Sequence, residues 1–364
     1  MKTKELSTPL LKLYQKQYKR QMKFTKKNIK RLKIIISVLC VIGLTTTSQG
    51  QTIAAFNVDS IIQISNNYFK QNRYEKALHL LEETLLKCTN SSAIHRITGL
   101  MIDYYFTNKQ SDNFFSIIDY GHKHDVVYRF PKFFADSLKN CPEYDKALIT
   151  NDSLLTIQRK IARPAYEVVL PDIYNEGTEY PLFIVLTKGW RTKQILINSY
   201  RSPRVRDEFI VAFIHSSDFR GTNFYEWPED ESETMPEIKN LYSEITSKYP
   251  IDTTKVIISG MSNAGRMAIH TAFRSQIPVS GFVTFCAVNA NISNSEIKAA
   301  VQKNIKGMLV AGKEDKRFFS DSEAMFRKLK SNNFLVRFEP GDFRHEIPTD
   351  SYSYIDEAVK FITE

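Results

Sequence analysis

Lys255-Val256-Ile257-Ile258-Ser259-Gly260-Met261-Ser262-Asn263-Ala264-Gly265-Arg266-Met267-Ala268 decides how the C-terminal part of this chain folds. A β-branched run leads into a turn of small residues centred on Ser262, and a helix-forming pattern follows at once. In a strand–turn–helix junction of this kind the turn is tight and holds a serine in a strained backbone conformation. Bulky neighbours would clash there, and Gly260 and Ala264 supply small residues two before and two after the serine. The helix that starts at Asn263 would offer unpaired N–H groups to a developing negative charge.

Working outward from this stretch, residues 161–364 alternate strand and helix patterns. Tyr166–Leu170, Pro181–Thr187, Glu208–Ile214, Lys255–Ser259, Gly281–Cys286, Gly307–Ala311 and Phe334–Phe338 read as strands. Several are nearly continuous apolar runs, as expected of strands buried on both faces. Helical spacing falls between them at Met235–Lys248, Asn263–Arg274, Asp321–Leu329 and Ser351–Ile362. The pattern predicts an α/β domain with a doubly wound, mostly parallel sheet. Its functional groups should gather at the carboxyl ends of the strands.

A serine nucleophile needs a base to take its proton and an acid to orient that base. Of the seven histidines, His345 is the best placed, in a turn-rich loop after the last predicted strand and before the last helix. His215 follows the third strand and is the alternative, whereas His270 should face away, two turns down the helix after Ser262. The acid is expected in the loop after Gly307–Ala311, where Asp315 is the choice and Glu314 the neighbour to exclude. Asp321 reads as a cap for the following helix. Ser262, Asp315 and His345 then follow one another in the chain order of the α/β-hydrolase arrangement.

The C-terminal 200 residues or so resemble the α/β-hydrolase superfamily, closest to bacterial esterases of the polyhydroxybutyrate depolymerase, feruloyl esterase and phospholipase/carboxylesterase type. The resemblance is carried by Pro181–Leu186, Tyr249-Pro250-Ile251-Asp252, Val256–Asn263, Ala311-Gly312-Lys313-Glu314-Asp315, and Pro340-Gly341 with His345 and Pro348. It implies Ser262 as nucleophile, Asp315 as acid and His345 as base, with no metal or organic cofactor. The family usually has a His-Gly or Gly-Gly stretch after the strand at 181–187, whose backbone forms half of the oxyanion hole. This chain has Thr187-Lys188-Gly189-Trp190-Arg191 instead. Lys188 or Gly189, with Asn263, could supply the backbone donors, since an oxyanion hole depends on backbone shape more than on side chains. Trp190 and Trp227 are candidate contacts for the substrate, with an ordinary packing role an equal reading of Trp227. Trp227 lies in the aromatic and acidic segment Phe224–Glu233, read as a rim of the pocket.

Residues 51–160 have a different texture, with apolar residues at helical spacing throughout. Ile61, Ile62, Ile64 and Tyr68 form one stripe, Tyr74, Ala77, Leu78, Leu81 and Leu85 the next, and Lys70-Gln71-Asn72-Arg73 joins them as a helical hairpin. Ser65, Tyr68, Tyr74 and Ala77 resemble one tetratricopeptide repeat, with Asn72 where that family usually has glycine. A second, degenerate copy would begin at Gly99. His122 and His124 read as solvated loop residues.

The formal charge of +10 suggests nucleic acid, but its distribution excludes that reading. Residues 1–33 hold twelve of the fifty basic side chains and one of the forty acidic ones, leaving 38 basic against 39 acidic elsewhere. No basic surface remains for nucleic acid. Residues 1–50 have the form of a secretory signal, with Met22 as an alternative start. Lys23–Lys33 are basic, Ile34–Leu44 apolar, and small residues close it at Ser48 and Gly50. The apolar run is shorter than the roughly 20 residues of a spanning helix, so a periplasmic or secreted protein without a membrane span is expected. In such a compartment Cys88 and Cys141 could pair, while Cys286 reads as a buried core thiol.

These readings converge on an exported serine hydrolase acting on a small or polymeric ester through an acyl-enzyme. The helical domain offers a surface to a protein partner. A hydrolase fold that binds without turnover, recruited through that domain, and a serine peptidase are the alternatives.

Overall fold

The computed structural model describes residues 57–139, 141–187, 193–274 and 277–364. The expected signal segment, its alternative start at Met22, and Lys188, Gly189 and Trp190 lie outside the described residues. Residues 57–364 form one compact unit. Among the described residues, no helix is long and apolar enough to cross a membrane.

The first part is helical: α1 (Val58–Lys70), α2 (Tyr74–Leu85), α3 (Ser91–Thr107), α4 (Ser111–His122), α5 (Lys132–Ser137) and α6 (Pro142–Ile161). Asn57 caps α1, its carboxamide oxygen accepting from the N–H groups of Asp59 at 3.0 Å and Ser60 at 3.3 Å. Asn72 turns the chain between α1 and α2 with φ +57°, a left-handed conformation that asparagine adopts more readily than most residues. The apolar stripes close on a core that includes Leu81, Ile94, Ile97, Phe114 and Ile118. His122 departs from the sequence reading. It is buried and its Nε2 lies 3.3 Å from Asn151 Oδ1, the same carboxamide that brackets the Tyr128 backbone. Cys88 and Cys141 are both unpaired thiols, so the possible disulfide is absent.

The sheet region contains β1 (Ala165–Val169), β2 (Tyr180–Leu186), α7 (Lys193–Tyr200), α8 (Pro203–Glu208), β3 (Ile210–His215), β4 (Phe219–Gly221), β5 (Phe224–Tyr225), α9 (Thr234–Lys248), β6 (Ile251–Met261), α10 (Asn263–Arg274), β7 (Gly281–Phe285), α11 (Asn294–Gln302), β8 (Lys306–Gly312), α12 (Phe319–Ser331), β9 (Leu335–Gly341) and α13 (Ser351–Thr363). Seven strands form one sheet in the order β1-β3-β2-β6-β7-β8-β9, and β4 with β5 makes a separate hairpin. Every pair in the large sheet is parallel except β1 with β3. This is the doubly wound α/β architecture that the apolar runs predict.

Alternation along the strands explains why both faces are covered. Leu182, Ile184 and Leu186 of β2 join the core on one face with α9 to α12. Phe183 and Val185 join the opposite core with α7, α8 and α13. A side-chain period of two thus separates one apolar run into two cores. The chain leaves β2 across one face and leaves β6 across the other, so the strand order reverses between these neighbours. A crevice opens at the carboxyl ends of strands at such a reversal. Leu186 pairs with Gly260 there, which puts Thr187 beside Met261, one residue before Ser262.

The β4–β5 hairpin ties this edge to the helices. Ser92 Oγ donates to Asn223 Oδ1 at 2.6 Å, and Asn223 Nδ2 returns a bond to the Ser92 carbonyl at 3.0 Å. Thr222 exchanges two bonds of 2.9 Å with the Val127 backbone. The Arg129 guanidinium lies 3.9 Å from the centre of the Phe224 ring.

Asn223 Nδ2 also approaches His95 Nδ1 at 3.4 Å, an amide donor facing a ring nitrogen that must be unprotonated to accept. Burial, with Arg96 adding to it, lowers the His95 pKa to about 4, and burial lowers that of His122 as well. A histidine depressed below its unfolded value of about 6.5 contributes fully above that pH and loses its contribution as pH falls toward the folded value. Urea unfolding should therefore report decreasing stability between pH 6.5 and about 4. His95→Gln should make that decrease shallower.

Candidate active site

Ser262 sits between β6 and α10 with φ +60°, so the strain expected of the tight turn takes the form of a left-handed conformation. For a residue with a side chain this costs of order 1–3 kcal/mol and persists only where its surroundings enforce it. Here the serine N–H donates to Phe285 O at 3.0 Å, and the serine carbonyl accepts from Arg266 N at 3.0 Å and Val288 N at 3.3 Å. A Cβ on Gly260 would lie 2.5 Å from the Ala264 backbone, so glycine is required by close approach. Ser262 is only 4 % exposed.

His345 reaches the serine from the loop between β9 and α13. Its Nε2 lies 3.0 Å from Ser262 Oγ, and its Nδ1 lies 2.6 Å from Asp315 Oδ2. The Asp315 side chain is almost fully buried, while that of His345 is about one-third exposed. The second carboxylate oxygen of Asp315 accepts from the N–H groups of Arg317 and Phe318, both at 3.2 Å. One oxygen is thereby fixed by backbone, leaving the other for the imidazole. Phe318 packs on the His345 ring with centroids 4.8 Å apart. A hydroxyl, an imidazole and a buried carboxylate in this sequence can pass a proton from serine to histidine and stabilise the imidazolium that results.

The other candidates fall elsewhere. His215 is stacked on Tyr225 at 4.1 Å and bonded to Ser216 O. His270 is buried with Nε2 on the Ala290 carbonyl at 2.5 Å. Glu314 points to Arg344 in an exposed pair. Asp321 lies inside the first turn of α12, and no side chain caps that helix. The apolar period begins late in α12, so its start at Phe319 was not apparent from that pattern. Asn263 is the first residue of α10, where an N–H has no acceptor within the helix. The Lys188 and Gly189 donors and Trp190 lie outside the described residues. Trp227 is 1 % exposed and donates its indole N–H to Thr187 O at 3.0 Å. It braces the end of β2 and has no surface on which to meet a substrate.

Two further residues neighbour the site. Glu226 accepts from Asn263 Nδ2 at 3.1 Å, tying the residue after the serine to the β4–β5 hairpin. Its sequence signal was hidden beside the acidic run 229–233. Cys286, a buried thiol as expected, adopts φ +44° at the end of β7 and faces the carbonyls of Arg344 at 3.6 Å and Glu346 at 3.8 Å. Among the described residues, Cys286, Asp315 and His345 are the one group whose side-chain donor atoms could surround a metal, all within 4.8 Å of one another. Burial pushes the thiol up to about 11, and the carboxylate and imidazole already engage each other, so Cys286 fits the role of packing beneath the acid–base pair.

No protein-family model matches the chain, and neither does any curated protein. Solved structures do resemble it. An uncharacterized protein from Bacillus cereus aligns over 84 % of this chain and 99 % of its own at 18 % identity, with a TM-score of 0.47. Esterase PE8 aligns over 55 % of this chain and 99 % of its own at 18 % identity and a TM-score of 0.45. S-formylglutathione hydrolase from Staphylococcus aureus aligns over 56 % and 100 % at 15 % identity and 0.42. The functional reading rests on this chain's own residues.

The close approach at Gly260 is open to test. Gly260→Val should destabilise the protein by about 1–3 kcal/mol through overpacking and lower the melting temperature, whereas Gly177→Ala, whose Cβ would meet only Asn175 Oδ1 at an ordinary 3.5 Å, should not.

Proposed function

We propose that the protein is a serine hydrolase of carboxylic esters that works through an acyl-enzyme. The observation that carries this reading is the continuous relay from Asp315 through His345 to a left-handed Ser262, at 2.6 and 3.0 Å. Ser262 attacks the ester carbonyl as His345 Nε2 takes its proton. The tetrahedral oxyanion is received by backbone N–H groups, that of Asn263 at the start of α10 among them, where the helix dipole adds favourable potential. Collapse expels the alcohol, which takes the proton back from His345. Water then repeats the sequence on the acyl-enzyme and frees the acid. Asp315 holds the tautomer in which Nδ1 carries hydrogen and Nε2 is free to accept. No step calls on a cofactor.

Glu226 is a positioning residue in this scheme. By holding the Asn263 carboxamide it orients the peptide that faces the oxyanion. Export as a periplasmic or secreted enzyme belongs to the same proposal, and its support is the basic and apolar organisation of residues 1–50.

Fluorophosphonate labelling and p-nitrophenyl ester hydrolysis test the proposal together. Wild type should label and turn over, and Ser262→Ala should do neither. Asp315→Asn should lower kcat by about 10⁴-fold through loss of the correct tautomer. Labelling that survives Ser262→Ala would remove the catalytic assignment. Glu226→Ala should lower kcat with KM little changed, and Glu226→Gln, which keeps an acceptor for Asn263, should restore most of it.

A further inference from the structure

A cavity of about 800 Å³ lies between the helical region and the β1–β3 edge of the sheet. On the sheet side its lining includes Thr187, Phe213, His215 and Tyr225. Thr187 follows the residue of β2 that pairs with Gly260, and Tyr225 precedes the glutamate that holds Asn263. The cavity therefore extends to the carboxyl end of β2, the strand beside the one that leads to Ser262. Clefts of this size, apolar with a few polar groups, are the usual form of a small-molecule site.

The opposite wall is α3. Gly99 lies in the middle of that helix, where glycine costs about 0.5–1 kcal/mol relative to alanine. Neither its backbone angle nor crowding requires glycine: a Cβ built there meets no atom within 4 Å. What its missing side chain preserves is open space in the cavity, which Gly99 lines together with Leu100. The polar groups also restrict the occupant. Arg96 is tied to Asp59 in an ion pair, and burial keeps His95 and His215 neutral near pH 7 by lowering their pKa values. Asp103 and Glu167 bring two carboxylates to the lining, which disfavour an anionic ligand.

We propose that this cavity receives a bulky, uncharged, ring-bearing group of an ester whose carbonyl lies at Ser262, and that α3 sets how large that group can be. The proposal rests on the esterase reading. It makes the helical region half of the substrate site, with Gly99 and Leu100 as specificity-determining residues. Aromatic surfaces at Phe213 and Tyr225 would pack the ring, and an uncharged group would enter without burying an unpaired charge of its own.

Gly99→Phe tests this by filling the cavity at a position with room for a side chain. Kinetics on p-nitrophenyl acetate would be compared with p-nitrophenyl 3-phenylpropionate, which enlarges the acyl side, and 2-naphthyl acetate, which enlarges the alcohol side. The variant should lose at least about tenfold more in kcat/KM on one enlarged ester than on acetate, in line with steric exclusion from a pocket, with fluorophosphonate labelling reporting that Ser262 is still reactive. A carboxylate-bearing analogue of the favoured ester should be a poor substrate, and Asp103→Asn should improve it. Equal losses on small and enlarged esters, or none on either, would overturn the proposal. Calorimetric binding of ethyl 3-phenylpropionate and 2-naphthyl acetate to Ser262→Ala, with and without Gly99→Phe, decides the cavity separately. If wild type neither labels nor hydrolyses, the esterase reading fails, and this binding result still supports or rejects the cavity.

Discussion

The left-handed backbone of Ser262 is the constraint on which the rest of the structure depends. A residue in that conformation is unfavourable alone, and three hydrogen bonds from β7, α10 and the chain after β7 hold it in place. Those partners exist only because β6 and β7 are parallel and in register, with Gly260 against Thr284 and Met261 against Phe285. A one-residue slip would exchange the faces of β6 and move the serine off the sheet edge. The two apolar cores that fix register are thus also what hold the hydroxyl within 3.0 Å of His345.

The buried carboxylate shows the same economy of parts. Asp315 follows β8, and its two oxygens are divided between backbone N–H groups and the imidazole. Burying a carboxylate costs free energy unless it is paired and hydrogen-bonded, and here every interaction that meets the cost also aims the histidine. On the other flank Arg266, in the first turns of α10, bonds to the carbonyls of Trp227 at 3.2 Å and Pro228 at 2.9 Å. One helix therefore supports both the serine and the segment that carries Glu226.

Much of this was legible from residue patterns because sheet geometry is periodic. Phe183 and Ile184 differ little as residues, yet their parity assigns them to opposite cores. The strand ends then locate Ser262, Asp315 and His345 on one edge, and the three side chains do come together there. What was not legible depends on partners distant in sequence. Trp227 reads equally as a pocket aromatic and as packing because nothing near it reveals the Thr187 carbonyl. His122 reads as solvated because Asn151 lies 29 residues away. A local signal can also stand without the pattern that would complete it. Helix α11 carries a full capping box of Ser293 and Glu296, but only Ile297 and Ala300 are buried along it, too few to give a clear apolar stripe.

The clasp between Ser92 and Asn223 has a consequence for the order in which the molecule is made. Its partners are separated by 131 residues, so the α3 start leaves the ribosome long before the hairpin that satisfies it. Until Asn223 arrives, Ser92 and His95 must rely on water, and the cavity wall has no opposite side. Loop closure over such a span precedes the contacts that reward it, which places this clasp among the slower, non-local steps of folding. The helical wall of the cavity is therefore synthesised before the sheet edge that faces it exists.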